Sequence, residues 1–521
     1  MNLGDGLRIS SWRYPNKDAV VFGDKRLTYD QLNRRANQFA NAMLEKGFTR
    51  GDKVSLLMHN NLEFVEMYNG LARIGVISVP VNFRLVEKET AYIIDNSDSK
   101  GLAVGSALLD RIDMDSLPQL SKDNVFVVGD DVPAGWNSYA GLLEGKSDVQ
   151  PEVDLSEADI FYFGYTSGTT GFPKGALIKT RNTIEVVSNA ILRNAGREDV
   201  DLTKRVLLAI IPLCHSNSIW ATLITLWMGG TNVVFPSGKF NPEKVLEIIE
   251  QEKVTTSSMV PTMISQILEL PDEVKKGYDI SSVTSLGSSS APLHTKTKEE
   301  ALQFFKNTRF SEGYGSTETG AVSTLRHKDQ TRKVRSIGKP NPGIQLRLKH
   351  EDGTLIEKPG EVGVLWVKTP AAFAGYYKEP DKTAEAFDDE GWVTADDMAF
   401  VDDEGFYFLA DRKSDMIISG GENIYPREIE EVLVQHDAVT EAAVIGVPNE
   451  KWGEEVKACV VLSKGKAASE EEILEFCRPK LAGYKRPRSV DFVDDFPRTA
   501  TGKILKRIVK QKYWQSQERM I

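Results

Sequence analysis

Short apolar runs separated by helix-length segments recur along most of this sequence, and they constrain the fold more than any other feature. The first runs lie at residues 54–58, 76–81, 102–104 and 125–128, and later ones at 206–211, 232–235, 254–260 and 283–286. A strand buried on both faces is a nearly continuous apolar run, and parallel strands are joined through helices. The alternation therefore predicts an α/β fold with doubly wound, mostly parallel sheets.

A helix in the first hundred residues has a recognisable start. Thr28 is followed three residues later by Gln31, which is a capping box. Apolar side chains then recur at helical spacing, namely Leu32, Ala36, Phe39, Ala40 and Met43. This spacing predicts a helix with one face in the core.

The pattern changes twice toward the C-terminus. From Gly343 to Thr369, alternating strands with turn signals predict a smaller β-rich subdomain. Beyond Asp411 the elements become shorter and mixed, as expected of a small α+β domain. A chain of 521 residues exceeds what one core usually supports. We therefore expect an N-terminal domain of residues 1–411 and a C-terminal domain of residues 412–521.

A glycine-rich loop, Tyr165–Gly175, follows the apolar run 160–163. Glycines permit the backbone torsions that turn several N–H groups inward, and hydroxyl groups add further donors. Lys174 supplies positive charge, so the loop is suited to a polyphosphate. It is not a Walker A loop, because Pro173 stands directly before the lysine. A flexible surface turn is the alternative interpretation, but it requires no such run of donors.

Composition excludes several classes of protein. The chain has 64 basic and 75 acidic residues, a net charge of −11, which argues against nucleic acid or an anionic membrane as the main partner. Three widely spaced cysteines suggest neither disulfides nor a zinc site. The N-terminus shows no secretory signal. The apolar stretch Ile219–Met228 is too short to span a bilayer, which takes roughly 20 residues. We expect a cytoplasmic protein without stable membrane insertion.

Six further segments carry polar and glycine-rich patterns: 287–292, 313–319, 392–396, 411–415, 419–424 and 497–504. Together with the loop at Tyr165–Gly175, they resemble, in the same order, the motifs of the acyl-adenylate-forming superfamily. That superfamily holds the acyl-CoA synthetases, firefly luciferase and the adenylation domains of peptide synthetases. The resemblance covers most of the chain and implies an enzyme that uses ATP, Mg²⁺ and CoA.

The resemblance implies roles for individual residues. Those implied to bind the nucleotide are Thr166, Ser167, Gly168, Thr169, Thr170 and Lys174 of the loop, with Gly287, Ser288, Ser289, Tyr314, Gly315, Asp396 and Arg412. Tyr314 stacks on adenine in this scheme, and Asp396 accepts hydrogen bonds from the ribose. Ala395 stands where the family has glycine, and Ser414 occupies the pivot position where the family often has Asp or Lys.

The residues implied to be catalytic are Lys503, Glu318, Thr317 and His215. Glu318 and Thr170 are the implied magnesium ligands. A strand that ends in a glycine-rich turn with one carboxylate also suits a hard cation that bridges phosphates. Any single lysine or glutamate is by default a solvated surface residue, and it is the shared motif context that favours a function.

The reaction implied by the resemblance has two halves. A substrate carboxylate first attacks the α-phosphorus of ATP and releases pyrophosphate. A thiol then attacks the acyl carbonyl and releases AMP. Positioned positive charge and donors stabilise the first step. In the family, rotation of the C-terminal domain separates the halves and brings in the loop with Gly420 and Gly421, which lines the path of the thiol.

Residues 212–218 correspond to one wall of the acyl pocket. No aspartate occurs there to hold an α-ammonium group, which disfavours amino acid activation. Trp220 and the helix after it predict an apolar wall, and so a fatty acid or a related apolar or aryl acid. His215 gates the pocket, contacts the acyl group or packs in the core, and we favour the first. A free-standing enzyme that loads a carrier protein is the alternative, a non-enzymatic nucleotide-binding protein is disfavoured, and a homodimer is possible.

Overall fold

The structure is a computed structural model that describes residues 2–166, 173–195, 201–499 and 502–514. The helices are α1 (Leu3–Arg13), α2 (Tyr29–Glu45), α3 (Leu62–Ile74), α4 (Glu87–Asn96), α5 (Tyr139–Leu143), α6 (Thr180–Ala195), α7 (Ser216–Trp227), α8 (Pro242–Gln251), α9 (Pro261–Leu268), α10 (Asp272–Lys276), α11 (Thr295–Phe304), α12 (Pro380–Ala386), α13 (Pro426–Leu433), α14 (Glu470–Cys477) and α15 (Lys506–Trp514).

The strands of the N-terminal part are β1 (Asp18–Phe22), β2 (Lys25–Thr28), β3 (Lys53–Leu57), β4 (Ile77–Pro80), β5 (Gly101–Gly105), β6 (Val125–Val128), β7 (Asn137–Ser138), β8 (Ile160–Thr166), β9 (Lys174–Lys179), β10 (Val206–Ala209), β11 (Thr231–Val234), β12 (Thr256–Met259), β13 (Ser285–Ser288), β14 (Arg309–Ser316), β15 (Gly320–Leu325), β16 (Ser336–Pro340), β17 (Gln345–Lys349), β18 (Gly363–Lys368), β19 (Val393–Val401) and β20 (Tyr407–Arg412). Those that follow are β21 (Ile417–Ser419), β22 (Glu422–Ile424), β23 (Val439–Asn449), β24 (Gly453–Leu462) and β25 (Ser489–Phe492).

Two large sheets form the N-terminal part. One has seven strands in the order β7-β6-β5-β3-β4-β8-β9, all parallel except for the β8–β9 pair. The other has thirteen strands, of which β1, β11, β10, β12, β13 and β14 run parallel. Every apolar run that predicted a strand overlaps one, so the doubly wound α/β fold is confirmed.

The β-rich part is not separate from the larger sheet. Strands β17 to β20 pair antiparallel with one another, and β16 joins them to the parallel part because it pairs with both β20 and β15. The predicted β-rich region therefore exists as an antiparallel extension of the thirteen-stranded sheet.

The two large sheets share one core. Leu56 of β3 and Val234 of β11 belong to the same buried apolar cluster, with Phe39, Phe64 and Ile219 from α2, α3 and α7 between them. The capping box at the start of α2 is present, because the Thr28 side chain accepts from the Gln31 N–H. Sequence pattern and packing agree on this helix.

The third sheet lies C-terminal and is small. It has the order β22-β21-β24-β23, with β25 beside β24, and a core of its own that includes Ile417, Ile429, Val444 and Ile473. The chain leaves the large sheet at the end of β20 and enters the small one at the start of β21. The division into residues 1–411 and 412–521 stays a prediction compatible with this passage.

Helices long and apolar enough to cross a membrane do not occur in the described ranges.

Candidate active site

The two large sheets approach each other closely at one point. A Cβ atom at Gly164 of β8 would lie 2.3 Å from Cγ2 of Thr317, in the turn between β14 and β15. Only a glycine permits this approach without displacing the turn. The end of β8 and the β14–β15 turn are therefore held side by side.

The glycine-rich loop begins and ends at a hairpin. Thr166, the last residue of β8, lies opposite Lys174, the first residue of the antiparallel strand β9. The Lys174 ammonium group lies 5.5 Å from the ring centroid of Tyr376. The predicted phosphate-binding residues Ser167, Gly168, Thr169 and Thr170 come between Thr166 and Lys174 in the sequence and lie outside the described residues.

The β14–β15 turn is held by its own hydroxyl groups. The Ser316 N–H donates to Thr319 Oγ1 at 3.1 Å, and the Thr319 N–H donates to Ser316 Oγ at 3.2 Å. A Cβ atom at Gly315 would lie 2.1 Å from the carbonyl oxygen of Gly320. Gly315 thus permits the tight hairpin that presents the residues at positions 317 and 318.

Glu318 is buried, with 6% of its surface exposed, and its carboxylate is held in place. The Tyr376 hydroxyl donates to Glu318 Oε1 at 3.0 Å, and the Thr166 hydroxyl donates to the same oxygen at 3.4 Å. Burial first, and then the Glu318 charge, raise the pKa of Tyr376, so its hydroxyl stays a donor. Sequence analysis missed Tyr376. This residue follows Gly375 in a segment that is bridged to β9, and the apolar pattern does not reveal such a bridge.

Tyr314 and Arg412 converge on Asp397. The Tyr314 hydroxyl donates to Asp397 Oδ2 at 2.6 Å, and Arg412 Nε lies 3.6 Å from Asp397 Oδ1. Asp397 is buried, whereas Asp396 is exposed. The prediction placed the ribose-binding aspartate at Asp396, but the geometry brings Asp397 to this cluster.

The backbone favours Asp397 for this role. Asp396 has φ of 58°, in the left-handed region that favours glycine. A conformation of this kind suits the glycine of the motif, so Asp397 is a candidate for the position of the motif's aspartate, and the role of Asp396 stays a prediction. Two adjacent aspartates were the available signal, since Asp tolerates this conformation better than most residues.

Lys503 comes to this cluster from the C-terminal sheet region. Gly502 has φ of 79°, and a Cβ atom there would lie 2.9 Å from Thr262 Oγ1 at the start of α9. Arg84 Nη1 donates to the Thr499 carbonyl at 3.3 Å, and the Thr499 N–H donates to the Lys503 carbonyl at 2.8 Å. The turn that carries Lys503 is therefore docked on the N-terminal part.

Burial, followed by the nearby Arg412 charge, lowers the pKa of Lys503 to about 8, although Asp397, Asp411 and Asp415 act in the opposite direction. A lysine with this pKa is mostly protonated near pH 7. The structure thus places an ammonium group beside the residues predicted to hold the nucleotide.

His215 precedes α7 and lies at its N-cap without a side-chain capping bond. Burial first, and then the Arg84 charge, lower the pKa of His215 to about 4. The imidazole is therefore neutral near pH 7. Its buried Nε2 has no hydrogen-bond partner among the described residues, so the ring retains an atom for a polar contact, which was one of the three interpretations left open by the sequence.

The start of α7 is polar where it faces the candidate site. Ser216 Oγ lies 3.4 Å from Thr317 Oγ1, and Asn217 Nδ2 donates to Ser289 Oγ at 2.7 Å. Ser289 Oγ also lies 3.4 Å from Ser258 Oγ. The predicted apolar wall thus begins deeper along the helix, and hydroxyl and amide groups lie next to the reacting end.

The turn after β13 contributes the rest of this wall. A Cβ atom at Gly287 would lie 3.5 Å from Ser258 Oγ, so the strand end is close to β12. Ser288 Oγ is buried without a hydrogen-bond partner among the described residues. The roles of Gly287, Ser288 and Ser289 in nucleotide binding stay predictions.

Gly420 and Gly421 lie away from this cluster, in the exposed hairpin between β21 and β22. The Gly420 N–H donates to the Trp452 carbonyl at 2.8 Å, and a Cβ atom at Gly420 would lie 2.7 Å from the Trp452 ring. Their place beside the thiol stays a prediction.

The residues present fit a magnesium ion that is bound mainly by phosphates. Mg²⁺ is commonly held by one or two carboxylates plus substrate oxygens and water. Both hydrogen bonds to Glu318 fall on Oε1. Groups of three or more His, Cys, Asp or Glu side chains suited to a metal do not occur in the described part of the chain. Glu318 is thus the described residue that would hold the ion, and Thr170 lies outside the described residues.

Comparisons with known proteins agree with this geometry. Residues 8–377 match the family model described as "AMP-binding enzyme", and residues 428–503 match the "AMP-binding enzyme C-terminal domain". The chain is 34% identical over 517 residues to the long-chain-fatty-acid–CoA ligase FadD13 of Mycobacterium tuberculosis, covering 98% of both chains. It is 34% identical over 501 residues to a feruloyl-CoA synthase of an Amycolatopsis species, covering 96% of both.

A solved structure is similar over the whole chain. The anthranilate CoA ligase AuaEII in complex with anthranoyl-AMP superimposes with a TM-score of 0.90 at 28% identity, covering 99% of this chain and 98% of that one. The similarity therefore includes both the large sheets and the C-terminal sheet.

The two adjacent aspartates provide a matched test of the site. We expect Asp397→Asn to weaken ATP binding at least about tenfold, because a charged acceptor that orders Tyr314 and Arg412 is lost. The exposed Asp396→Asn should change it by less than about twofold. Titration calorimetry with ATP measures both variants, and the reverse order of effects would restore Asp396 as the ribose ligand.

Proposed function

Because this chain belongs to the AMP-binding enzyme family and is an AMP-forming acyl-CoA synthetase, we propose that it adenylates a polar or aryl carboxylic acid and then transfers the acyl group to CoA. The family, the fold and the enzyme class predicted from the motifs are confirmed. We propose the identity of the acid, the roles of single residues, and the assignment of each half of the reaction to one arrangement of the two domains.

The observation that carries the proposal is the position of Lys503. It belongs to the small C-terminal region, yet its pKa responds to Arg412 and Asp397 of the nucleotide cluster. A cation supplied in this way across two domains suits a phosphoryl-transfer step, in which catalysis is mostly positioning and charge stabilisation.

In the first half, a carboxylate oxygen of the acid forms a bond to the α-phosphorus of ATP. The bond from this phosphorus to the bridging oxygen breaks, and pyrophosphate leaves with the electron pair. We assign to Thr317 and Lys503 the stabilisation of the negative charge on the α-phosphoryl oxygens. Glu318 would hold Mg²⁺, which when bound neutralises phosphate charge.

In the second half, the thiol of CoA attacks the acyl carbonyl and AMP leaves. AMP departs with its phosphate group, and this departure does not need the ammonium group of Lys503. We infer that the C-terminal region rotates near Arg412, withdraws the lysine and brings the hairpin of Gly420 and Gly421 to the acyl-adenylate. The exposure of that hairpin supports this division.

The preference for a polar or aryl acid rests on the surroundings of α7. Ser216 and Asn217 line the side near Thr317. A substituted aryl or short polar acid would find hydrogen-bonding partners at the helix start, whereas a long alkyl chain would leave these groups unpaired.

The location, the oligomeric state and the acceptor thiol are further parts of the proposal. Use of ATP and CoA is compatible with the cytoplasmic location predicted from the sequence. A homodimer stays a prediction. Loading of a carrier protein is the weaker alternative to CoA, and it predicts the same adenylation with a different thiol.

An acid panel tests the proposed function directly. With ATP, Mg²⁺ and CoA present, we expect AMP formation to be faster with hydroxylated or amino-substituted aryl acids than with long-chain fatty acids. Acyl-CoA is quantified in the same samples. AMP formation without acyl-CoA, restored by a phosphopantetheinyl protein, would favour the carrier-protein alternative, and the absence of AMP with every acid would overturn the proposal.

Lys503→Ala separates the two halves. We expect acid-dependent exchange between ATP and pyrophosphate to fall by at least about 100-fold, as for removal of a preorganised charge donor. Turnover of a pre-formed acyl-adenylate by CoA should change little, because the lysine has withdrawn. Equal losses in both assays would contradict the division of labour.

Glu318→Gln tests the metal site. The amide keeps the volume and can still accept from Tyr376, but it lacks the charge that attracts a hard cation. We expect the Mg²⁺ concentration for half-maximal adenylation to rise about tenfold or more. A magnesium titration at saturating ATP measures this shift, and an unchanged midpoint would remove Glu318 from the metal site.

A further inference from the structure

Helix α13 of the C-terminal region packs against the start of α11 in the large sheet region. Glu431 of α13 makes the contact. Its Oε1 accepts from the Thr295 N–H at 3.2 Å and from the Thr295 hydroxyl, and its Oε2 lies 3.1 Å from His294 Nδ1. One carboxylate thus reaches two consecutive residues of the other domain.

The contact completes the N-terminus of α11. His294 is the N-cap residue of this helix, but its side chain makes no capping hydrogen bond. The first N–H groups of any helix lack partners within the helix, and a carboxylate there also interacts favourably with the helix dipole. Glu431 therefore supplies from the C-terminal region what the sequence of α11 does not supply itself.

The contact is mostly buried. Glu431 is 8% exposed. Burial alone would raise the pKa of its carboxyl, but the hydrogen bonds from His294 and Thr295 outweigh burial and lower the pKa to about 2. A buried carboxylate that lost these partners without reaching water would be costly. The closed arrangement of the two regions is stabilised accordingly.

Other charges at this interface are balanced. Glu312 of β14 forms an ion pair of 2.5 Å with Lys298, which lies one turn after Thr295 on α11. Burial raises the pKa of the Glu312 carboxyl. The negative charge of Glu431 adds to this rise, whereas the positive charge of Arg427 of α13 opposes it. When α13 docks, it therefore brings the carboxylate of Glu431 and the cation of Arg427 to the ion pair of Glu312 and Lys298.

A chain of contacts links this interface to Lys503. The neighbour of Glu431, Glu430, binds the Lys506 ammonium group through Oε1 at 2.7 Å. Lys506 also lies 3.7 Å from Asp411 at the end of β20. Because Lys506 is three residues from Lys503, the position of α13 sets where the turn with the catalytic lysine docks.

We propose that Glu431 is a positioning residue for the adenylation half of the reaction: it caps α11 across the domain interface and so holds Lys503 at the nucleotide. The inference rests on the proposed function for its catalytic consequence, but the cap itself does not. Rotation toward the thiol-accepting arrangement must break all three contacts. Their strength therefore sets the balance between the two halves.

The test compares Glu431→Ala and Glu431→Gln with a matched control, Glu428→Gln. Glu428 lies on the same helix, but its carboxylate pairs with Lys485 within the C-terminal region at 2.7 Å. Two assays follow each variant, namely acid-dependent ATP–pyrophosphate exchange and conversion of a pre-formed acyl-adenylate by CoA. Circular dichroism confirms that each variant is folded.

A distance measurement gives a readout that needs no reaction. The three cysteines of the chain are buried, so new cysteines at the exposed positions Lys306 and Arg478 can be labelled selectively with a dye pair. Energy transfer in the presence of ATP reports the fraction of molecules in which the two regions are docked.

We expect Glu431→Ala to lower the docked-to-undocked ratio about tenfold and to slow exchange, while acyl-adenylate turnover is unchanged or faster. Glu431→Gln should fall between Ala and the unmodified chain, and Glu428→Gln should match the latter. An unchanged ratio for Glu431→Ala would overturn the inference, as would equal losses in both assays. A changed ratio without any acyl-CoA formation by the unmodified chain would instead count against the proposed function alone.

Discussion

An ammonium group delivered by one domain to a nucleotide site built by the other is the interaction on which this structure depends. Lys503 lies near the Arg412 guanidinium, and burial together with this like charge lowers its pKa to about 8. Asp397 and Asp411 offset part of that cost. A polyphosphate would relieve the rest, because it brings negative charge to two cations that already face one place. The site is thus preorganised for a polyphosphate.

Much of this arrangement could be predicted from the sequence, because strand periodicity and motif order are local properties. The buried strands and the turn with Glu318 lie where the patterns indicate. Asp396 shows the limit, since a motif match cannot reveal that the backbone there takes φ of 58° while the next residue, Asp397, contacts Tyr314. Tyr376 was missed for a related reason. It reaches Glu318 through a long-range bridge to β9, and no local pattern encodes such pairing.

The polar start of α7 supports the proposal of a polar or aryl acid. A buried hydroxyl or amide group without a partner is costly, so a site that presents such groups discriminates against a substrate that cannot pair with them. Ser216 and Asn217 pair with Thr317 and Ser289 in this structure, whereas His215 Nε2 and Ser288 Oγ are buried without partners among the described residues. An acid with polar substituents can satisfy such atoms, and an alkyl chain cannot.

The same reasoning limits how strong the contact between the domains can be. A helix cap contributes about 0.5–2 kcal/mol, and a hydrogen bond to a charged group about 1.5–3 kcal/mol. Contacts of this size make the docked arrangement dominant, but the differential binding of one ligand can still reverse them, since moving an equilibrium from 1:99 to 99:1 takes about 5.5 kcal/mol. A much larger apolar interface would hold Lys503 more firmly and would then prevent the hairpin of Gly420 from reaching the acyl-adenylate. A small polar contact such as that of Glu431 satisfies both requirements, because it positions the lysine and still allows CoA to replace it.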